Sequence, residues 1–317
     1  MSQRLLTALS NGAIDWPEGG RVALYRPGEP FDLPGPALVV TGDKRAAEAW
    51  SRHGAEIVRG APEADLAIVT LGRSKSLNRD MIARAAASAD RVVIDGAKTD
   101  GVDAIFKEMR KAGLAGESVT KAHGRVFWFD RTDTLAHWRD PGPVLGDDGF
   151  WRQAGVFSEA GVDRGSQVLA GLLPELKGRW ADLGGGWGFL TRVALEKGAS
   201  HVDLVEVEAR ALDCAERTLE GDPVTFHWAD ATLWTPAERI DGVLMNPPFH
   251  QGRTADARLG QAFIGQAARI LPRHGRLWMV ANRHLPYETT LREHFKEVKD
   301  RGGDPAFKVF EAARPIS

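Results

Sequence analysis

Cysteine is almost missing from this chain, with Cys214 the only one. A single thiol cannot close an intramolecular disulfide or build a cysteine-based zinc cluster, and such sparse use fits a reducing compartment. Long hydrophobic runs are missing too. No apolar stretch approaches the ~18 residues of a membrane span, and the opening Met1 to Thr7 lacks the apolar segment of a secretory leader. The expectation is a soluble cytoplasmic protein with no membrane partner. Net charge is also small: 41 Lys and Arg against 43 Asp and Glu leave -2, spread evenly between the halves. Neither half is a basic arm. Sequence-blind binding of nucleic acid, which draws most of its affinity from phosphate neutralisation, is therefore disfavoured, and any such contact must come from a local patch.

What is present is an ordinary globular composition, 43% hydrophobic and 26% charged, over 317 residues, enough for two cores. In the first half, Arg21 to Tyr25, Ala37 to Val40, Asp65 to Thr70 and Arg91 to Ile94 read as strands. Between them Lys44 to His53, Arg79 to Ser88 and Asp103 to Ala112 carry apolar residues at helical spacing. This alternation predicts an α/β domain with a largely parallel sheet. Gly, Pro and Asp then accumulate from about Asp130 to Phe157, which places a domain boundary near Gly146, with domains 1–145 and 146–317. Strands resume at Arg179 to Leu183, His201 to Val207, Val224 to Ala229, Gly242 to Met245 and Arg276 to Ala281.

The two halves resemble one another weakly when Asp65 to Thr70 is set against Asp241 to Asn246. Thr70 to Arg73 then falls where Asn246-Pro247-Pro248-Phe249 stands, and Thr41-Gly42-Asp43, after Ala37 to Val40, falls where the second half has a glycine-rich loop. A duplication whose first copy has lost its chemistry would explain this; chance likeness between two α/β patterns is the alternative.

That loop, Asp182-Leu183-Gly184-Gly185-Gly186-Trp187-Gly188, follows a strand and precedes an amphipathic stretch. Glycines allow a sharp turn and close approach of the backbone to a ligand. With glycines at 184, 186 and 188 the spacing departs from the pyrophosphate-binding G-x-G-x-x-G, so the ligand need not be a phosphate. Glu206 follows the next apolar run, His201 to Val205, 20 residues beyond Gly186, near the ~20-residue offset at which a carboxylate meets ribose hydroxyls. An acid there also caps helices. Asp230, after a third strand, is placed for the edge of an adenine, or to cap the turn that follows.

Asn246-Pro247-Pro248-Phe249 follows the fourth strand, at the carboxyl edge where open α/β sheets bind ligands. Two prolines fix φ near about -65° and remove two amide donors, so the segment presents carbonyls in set directions. An amine attached to a base or an amide is a poor nucleophile because its lone pair is delocalised. The Asn246 side-chain oxygen and the Pro247 carbonyl can accept its two N–H bonds and turn the lone pair toward an electrophilic methyl. Phe249 can stack on the flat group, worth about 1 to 3 kcal/mol for a base. Read locally, these residues support any planar amine meeting a methyl donor, whether on guanine, adenine or a glutamine side chain; a non-catalytic RNA-binding or assembly factor retaining the fold is the alternative of a different class.

The order Asp-Leu-Gly-x-Gly-x-Gly, an acid after the second strand, then Asn-Pro-Pro-Phe resembles class I amino-methyltransferases. The fuller run, with Gly155 to Ser158, Asp163 to Gln167, Asn246 to Gly252 and Val280 to Tyr287, resembles the RsmC and RlmG family of ribosomal RNA guanine-N(2) methyltransferases, closely over about 150–315 and less so over 20–130. The resemblance implies two tandem Rossmann-like methyltransferase domains, the first degenerate and serving RNA recognition or folding support. It implies S-adenosylmethionine held by Asp182, Gly184, Gly186, Gly188, Glu206 and Asp230, and catalysis by Asn246, Pro247 and Phe249. Pro248, Phe157 and Ser166 would contact the substrate, a guanine of ribosomal RNA or of a ribosomal subunit, of the small subunit by preference. A monomer without a metal is expected. Three departures stand out: Gly185 where the family usually has Cys, Glu206 for the more usual Asp, and the bulky Trp187 within the loop. His250 beside the motif, and Arg73, Lys75, Arg79, Lys98, Lys107, Arg110 and Lys111 in the first half, can contact RNA, or can simply be solvated.

Overall fold

The structure, a computed structural model, describes residues 1–248 and 257–316 together with the backbone of 250–251 and 254–255. Phe249 of the motif lies outside the described residues. The chain forms two compact units, Met1–Gly142 and Pro143–Ser317. The first contains α1 (Gln3–Ser10), β1 (Val22–Tyr25), β2 (Ala37–Val40), α2 (Lys44–Arg52), β3 (Glu56–Val58), β4 (Ala64–Thr70), α3 (Lys75–Ser88), β5 (Ala89–Ala97), α4 (Val102–Lys111), β6 (Ser118–Lys121) and β7 (Gly124–Asp130). In the second, two short strands, β8 (Val144–Leu145) and β9 (Trp151–Arg152), precede α5 (Arg164–Leu172), β10 (Arg179–Leu183), α6 (Phe189–Glu196), β11 (His201–Glu206), α7 (Ala209–Thr218), β12 (Val224–Trp228) and β13 (Gly242–Met245). A small ladder of β14 (His250–Gln251) and β15 (Thr254–Ala255) leads to α8 (Ala257–Ile270), β16 (Arg276–Asn282), α9 (Tyr287–His294), β17 (Phe295–Gly303) and β18 (Phe307–Pro315).

Each unit is built on a seven-stranded sheet, in the order β3-β2-β1-β4-β5-β7-β6 in the first and β12-β11-β10-β13-β16-β18-β17 in the second. Five strands run parallel and the closing hairpin runs antiparallel in both. Both sheets are α/β with helices on their faces, which explains the near-continuous apolar runs of β1 and β13, buried along their whole length. The alternation of side chains then divides each core in two. In the second unit Ala181, Leu183, Val243, Met245, Leu277 and Met279 face one side, and Trp180, Val202, Leu244, Trp278 and Val280 the other. Asp203, almost fully buried on β11, accepts from Arg179 of β10 and pairs with His227 of β12, tying three strands across their width.

The duplicated topology decides which segments correspond. β1 occupies the place of β10, so the counterpart of the glycine loop is the turn after Tyr25, beginning Arg26-Pro27-Gly28. The expectation that Thr41-Gly42-Asp43 fills that place is corrected: β2 matches β11, and Asp43 there caps α2 through the amides of Arg45 and Ala46. By position between the strands, α1, α2, α3 and α4 match α5, α7, α8 and α9. What the first unit lacks is α6, since β1 passes to β2 through 26–36 without a helix. The first copy has therefore lost both the loop and the helix that the loop opens. Thr70, by contrast, ends β4 as the residue before Asn246 ends β13, and the turn beyond it is closed internally: the side chain of buried Asn78 donates to the Gly72 carbonyl at 2.7 Å and accepts from its N–H at 2.9 Å.

The expected strands also leave out β7 and β18, which are largely buried, as well as β3 and β17. β3 has three residues, and β17 is a polar edge strand exposed along most of its length, so neither carries the apolar pattern of a central strand.

β10 and β13 pair as Trp180↔Gly242, Ala181↔Val243 and Asp182↔Leu244. A Cβ on Gly242 would collide with the six-membered ring of Trp180. Gly242→Ala is expected to lower unfolding stability by about 1–3 kcal/mol through overpacking, measured by urea denaturation; an unchanged midpoint would show that the ring relaxes freely.

Candidate active site

The two motifs meet because the sheet reverses direction between β10 and β13. β10 turns outward to β11 while β13 continues toward β16, and the crevice beyond the carboxyl ends at such a switch point is where open α/β sheets take ligands. The loop after β10 and Asn246 after β13 line one small cavity, together with Phe157, Asp163, Ser166 and Trp187.

In the loop, Gly184, Gly186 and Gly188 hold φ of 74°, 56° and 94°, the left-handed region that only glycine enters without strain. A Cβ on Gly186 would meet open space, whereas one on Gly185 would lie 2.7 Å from Leu204 Cγ. Gly185 is thus matched to its neighbour Leu204. Gly188 opens α6.

Glu206 ends β11, buried, beneath this loop. Its Oε2 accepts from Gly186 N at 2.9 Å and its Oε1 from Glu208 N at 2.8 Å. Burial raises its carboxyl above the usual range, and these amides work in the opposite direction. Asp182 has no exposed surface at all, so it meets no ligand directly in this arrangement. Thr191 Oγ1, from α6, donates to its Oδ2 at 2.8 Å, while Oδ1 has no hydrogen-bond partner among the described residues. The pair clasps the loop from below. Asp230 is partly exposed; its Oδ1 accepts from the amide and hydroxyl of Thr232, which is the turn-capping arrangement, and it does not line the cavity.

Trp187, the bulky departure, borders the cavity yet is almost wholly buried. Its ring lies 4% exposed among Phe150, Val156, Ala211 and Cys214, beneath the guanidinium of Arg152, and its indole donates to the Phe157 carbonyl at 2.8 Å. It fastens the segment bearing Phe157 to the glycine loop. Phe157 itself is 60% exposed, which excludes a core role and leaves its ring at the rim of the cavity.

Asn246 is partly buried, Pro247 buried and Pro248 exposed. The side-chain nitrogen of Asn246 donates to Asp163 Oδ2 at 2.8 Å and to Ser166 Oγ at 2.9 Å. Ser166 is thus brought to the motif. Two contributors escaped the sequence reading as site residues, Asp163 and Thr191. The first carries a local signal, an acid three residues before Ser166 opening a helix; Thr191 carries none, since its partner is fixed only by the packing of α6 on the sheet.

Comparison with known proteins bears on the same residues. The methyltransferase small domain matches 148–311. A ribosomal RNA small subunit methyltransferase C of Hahella chejuensis is 30% identical over 332 aligned residues, covering 93% of this chain and 94% of that one. The chain belongs to the RsmC-like class I methyltransferase family. A second relative of the same name, from Shewanella pealeana, is 35% identical over 158 residues, 49% of this chain and 46% of its own. A solved T. thermophilus 16S rRNA methyltransferase (RsmC), in complex with AdoMet and guanosine, superposes with a TM-score of 0.77 at 24% identity over 98% of this chain and 92% of that one, which establishes the tandem Rossmann-like fold. This family member is an S-adenosylmethionine-dependent methyltransferase. The donor fits the residues present: glycines that leave the backbone open at Gly186, and a buried carboxylate at Glu206 whose oxygens each accept one amide and retain a second lone pair for a ribose hydroxyl.

Burial pushes the Asp182 carboxyl up to about 7; Thr191 works against that rise, and the charge of Glu206 adds to it. The folded protein therefore holds a proton that the unfolded chain releases near pH 4, and stability declines as pH rises from about 4 to about 7, with no further loss above. Asp182→Asn removes this titration. Its unfolding midpoint should gain on the wild type across that window, reaching on the order of 1–4 kcal/mol at pH 8; parallel curves from pH 4 to 8 would reject the assignment.

Proposed function

We propose that the chain transfers a methyl group from S-adenosylmethionine to the exocyclic amine of a guanine in ribosomal RNA, in the small subunit. The observation that carries this reading is the juxtaposition of Asn246 with the glycine loop in one cavity, with the Asn246 nitrogen already engaged by Asp163 and Ser166. The names of its relatives supply the RNA and the subunit.

When bound, S-adenosylmethionine supplies the electrophilic methyl. Gly184, Gly186, Gly188 and Glu206 hold it, with Asp182 supporting the loop from below and Asp230 beside the third strand. Asn246 Oδ1 and the Pro247 carbonyl accept the two N–H bonds of the amine, so that its lone pair is directed out of the base plane and toward the donor side. Phe249 stacks on the base, and Pro248 and Phe157 border it. Orientation of this kind makes the displacement effectively intramolecular, where well-aligned systems gain about 7 to 11 kcal/mol. A guanine must be unpaired or flipped to enter. The unit Met1–Gly142, which lacks the loop and the Asn-Pro-Pro-Phe sequence, serves RNA recognition or folding support. No helix among the described residues is long and apolar enough to cross a membrane, and a monomer working in the cytoplasm on ribosomal RNA or an assembled subunit fits this reading.

The test is transfer of labelled methyl from the donor to ribosomal subunits from cells lacking the gene, followed by nucleoside analysis. Methylated guanine is expected, and transfer to no RNA would falsify the proposal; label on adenine or on a protein amide would reassign the substrate. Asn246→Ala should lower kcat by about 100- to 1,000-fold and leave donor affinity by calorimetry nearly intact. Equal loss of donor affinity would place Asn246 in donor binding instead.

A further inference from the structure

We propose that Asp163 is a positioning residue that sets which face of the Asn246 amide meets the substrate. The inference rests on the reading of Asn246 as the acceptor of the amine. A side-chain amide has one acceptor end and one donor end of nearly the same shape, and a half-turn exchanges them. Only one orientation suits methyl transfer: with the nitrogen toward the substrate, Asn246 would oppose the amine with two further N–H bonds and could not accept a hydrogen bond from it.

The structure removes that freedom. A carboxylate accepts and does not donate, so Asp163 Oδ2, 2.8 Å from Asn246 Nδ2, can face only the nitrogen end. Ser166 Oγ accepts the second N–H at 2.9 Å, and both donors of the amide are spent. Asp163 is itself held. As the N-cap of α5 its Oδ2 also accepts from the amide of Ser166 at 2.9 Å, a position where the helix N-terminus favours negative charge. The next residue, Arg164, donates through Nε to Asp304 Oδ2 at 2.8 Å, and Asp304 Oδ1 accepts from Phe307 N at the start of β18. Gly165 leaves no slack: a Cβ there would lie 2.9 Å from the Phe307 ring and 3.0 Å from Asp163 Oδ2. The first turn of α5 is thus keyed to the sheet, and the sheet to Asn246.

Asp163→Ala deletes the one group that, among the described residues, discriminates the two amide orientations, whereas Asp163→Asn keeps an oxygen that can accept from both Ser166 N and Asn246. With the full chain, donor and ribosomal subunits, Asp163→Ala should lower kcat by about 100-fold at unchanged KM for the donor, and Asp163→Asn should recover activity to within roughly tenfold of the wild type. Independently of any RNA, the side-chain amide protons of Asn246 in nitrogen-15-labelled protein should exchange slowly in the wild type and at least about tenfold faster in Asp163→Ala. Ser166→Ala, which retains the cap on the backbone and removes one acceptor, should show a smaller loss in both measurements and decides the matter if Asp163→Ala fails to fold. Wild-type kcat in Asp163→Ala, or equal amide exchange in all variants, overturns the inference. If the wild type methylates no RNA, the ribosomal reading fails while the exchange measurement still decides the orientation of Asn246.

Discussion

The pairing of β10 with β13 is the constraint on which the rest of the second unit depends. Two strands far apart in sequence lie side by side at the reversal of the sheet, in a register that stacks the ring of Trp180 over the bare backbone of Gly242. That register brings the end of one strand, where the glycine loop begins, beside the end of the other, where Asn246 begins. The glycine loop and Asn246 become neighbours because hydrogen-bonded parallel strands end together, and the burial of both strands resists any slip.

Around this pair polar side chains hold the loop and Asn246 in place. Asp182 and Thr191 clasp the loop, Glu206 takes the amide of Gly186, Trp187 ties the Phe157 segment down through its carbonyl, and Asp163 with Ser166 takes the nitrogen of Asn246. A site that works by orientation needs such support, since a reacting group displaced by about 1 Å can lose about a hundredfold in rate. The first unit illustrates the reverse. Its sheet has the same order, yet without the equivalent of α6 there is no helix for a glycine loop to open, and Asn78 closes the turn that would otherwise present a motif.

Much of this was legible in the residues. Arg179 to Leu183 and Gly242 to Met245 were readable as strands to the residue, because each is a short stretch closed by turn formers, the glycine loop after the first and Asn246 to Pro248 after the second. The glycine loop was readable because its requirement is local: the positive φ of Gly184, Gly186 and Gly188 suits glycine. The exposed edge strand β17 was not legible, since a strand with solvent on most sides needs no apolar pattern. Nor was the match between the two copies at their first strand, where the missing helix shifts the alignment and only the strand order restores it.

The sequence by itself determined the α/β class and the existence of two units, because periodicity and residue type act within a few positions along the chain. Tertiary structure alone decided that Trp187 faces inward, that Asp182 is a support buried out of reach, that Asp230 spends one oxygen on its own turn, and which way the Asn246 amide points. For Asn246 to Phe249 in particular, the residues specify an acceptor for a planar amine, but an amide is nearly symmetric in shape. Its direction is settled by a carboxylate 83 positions earlier in the chain, brought within 2.8 Å by the fold.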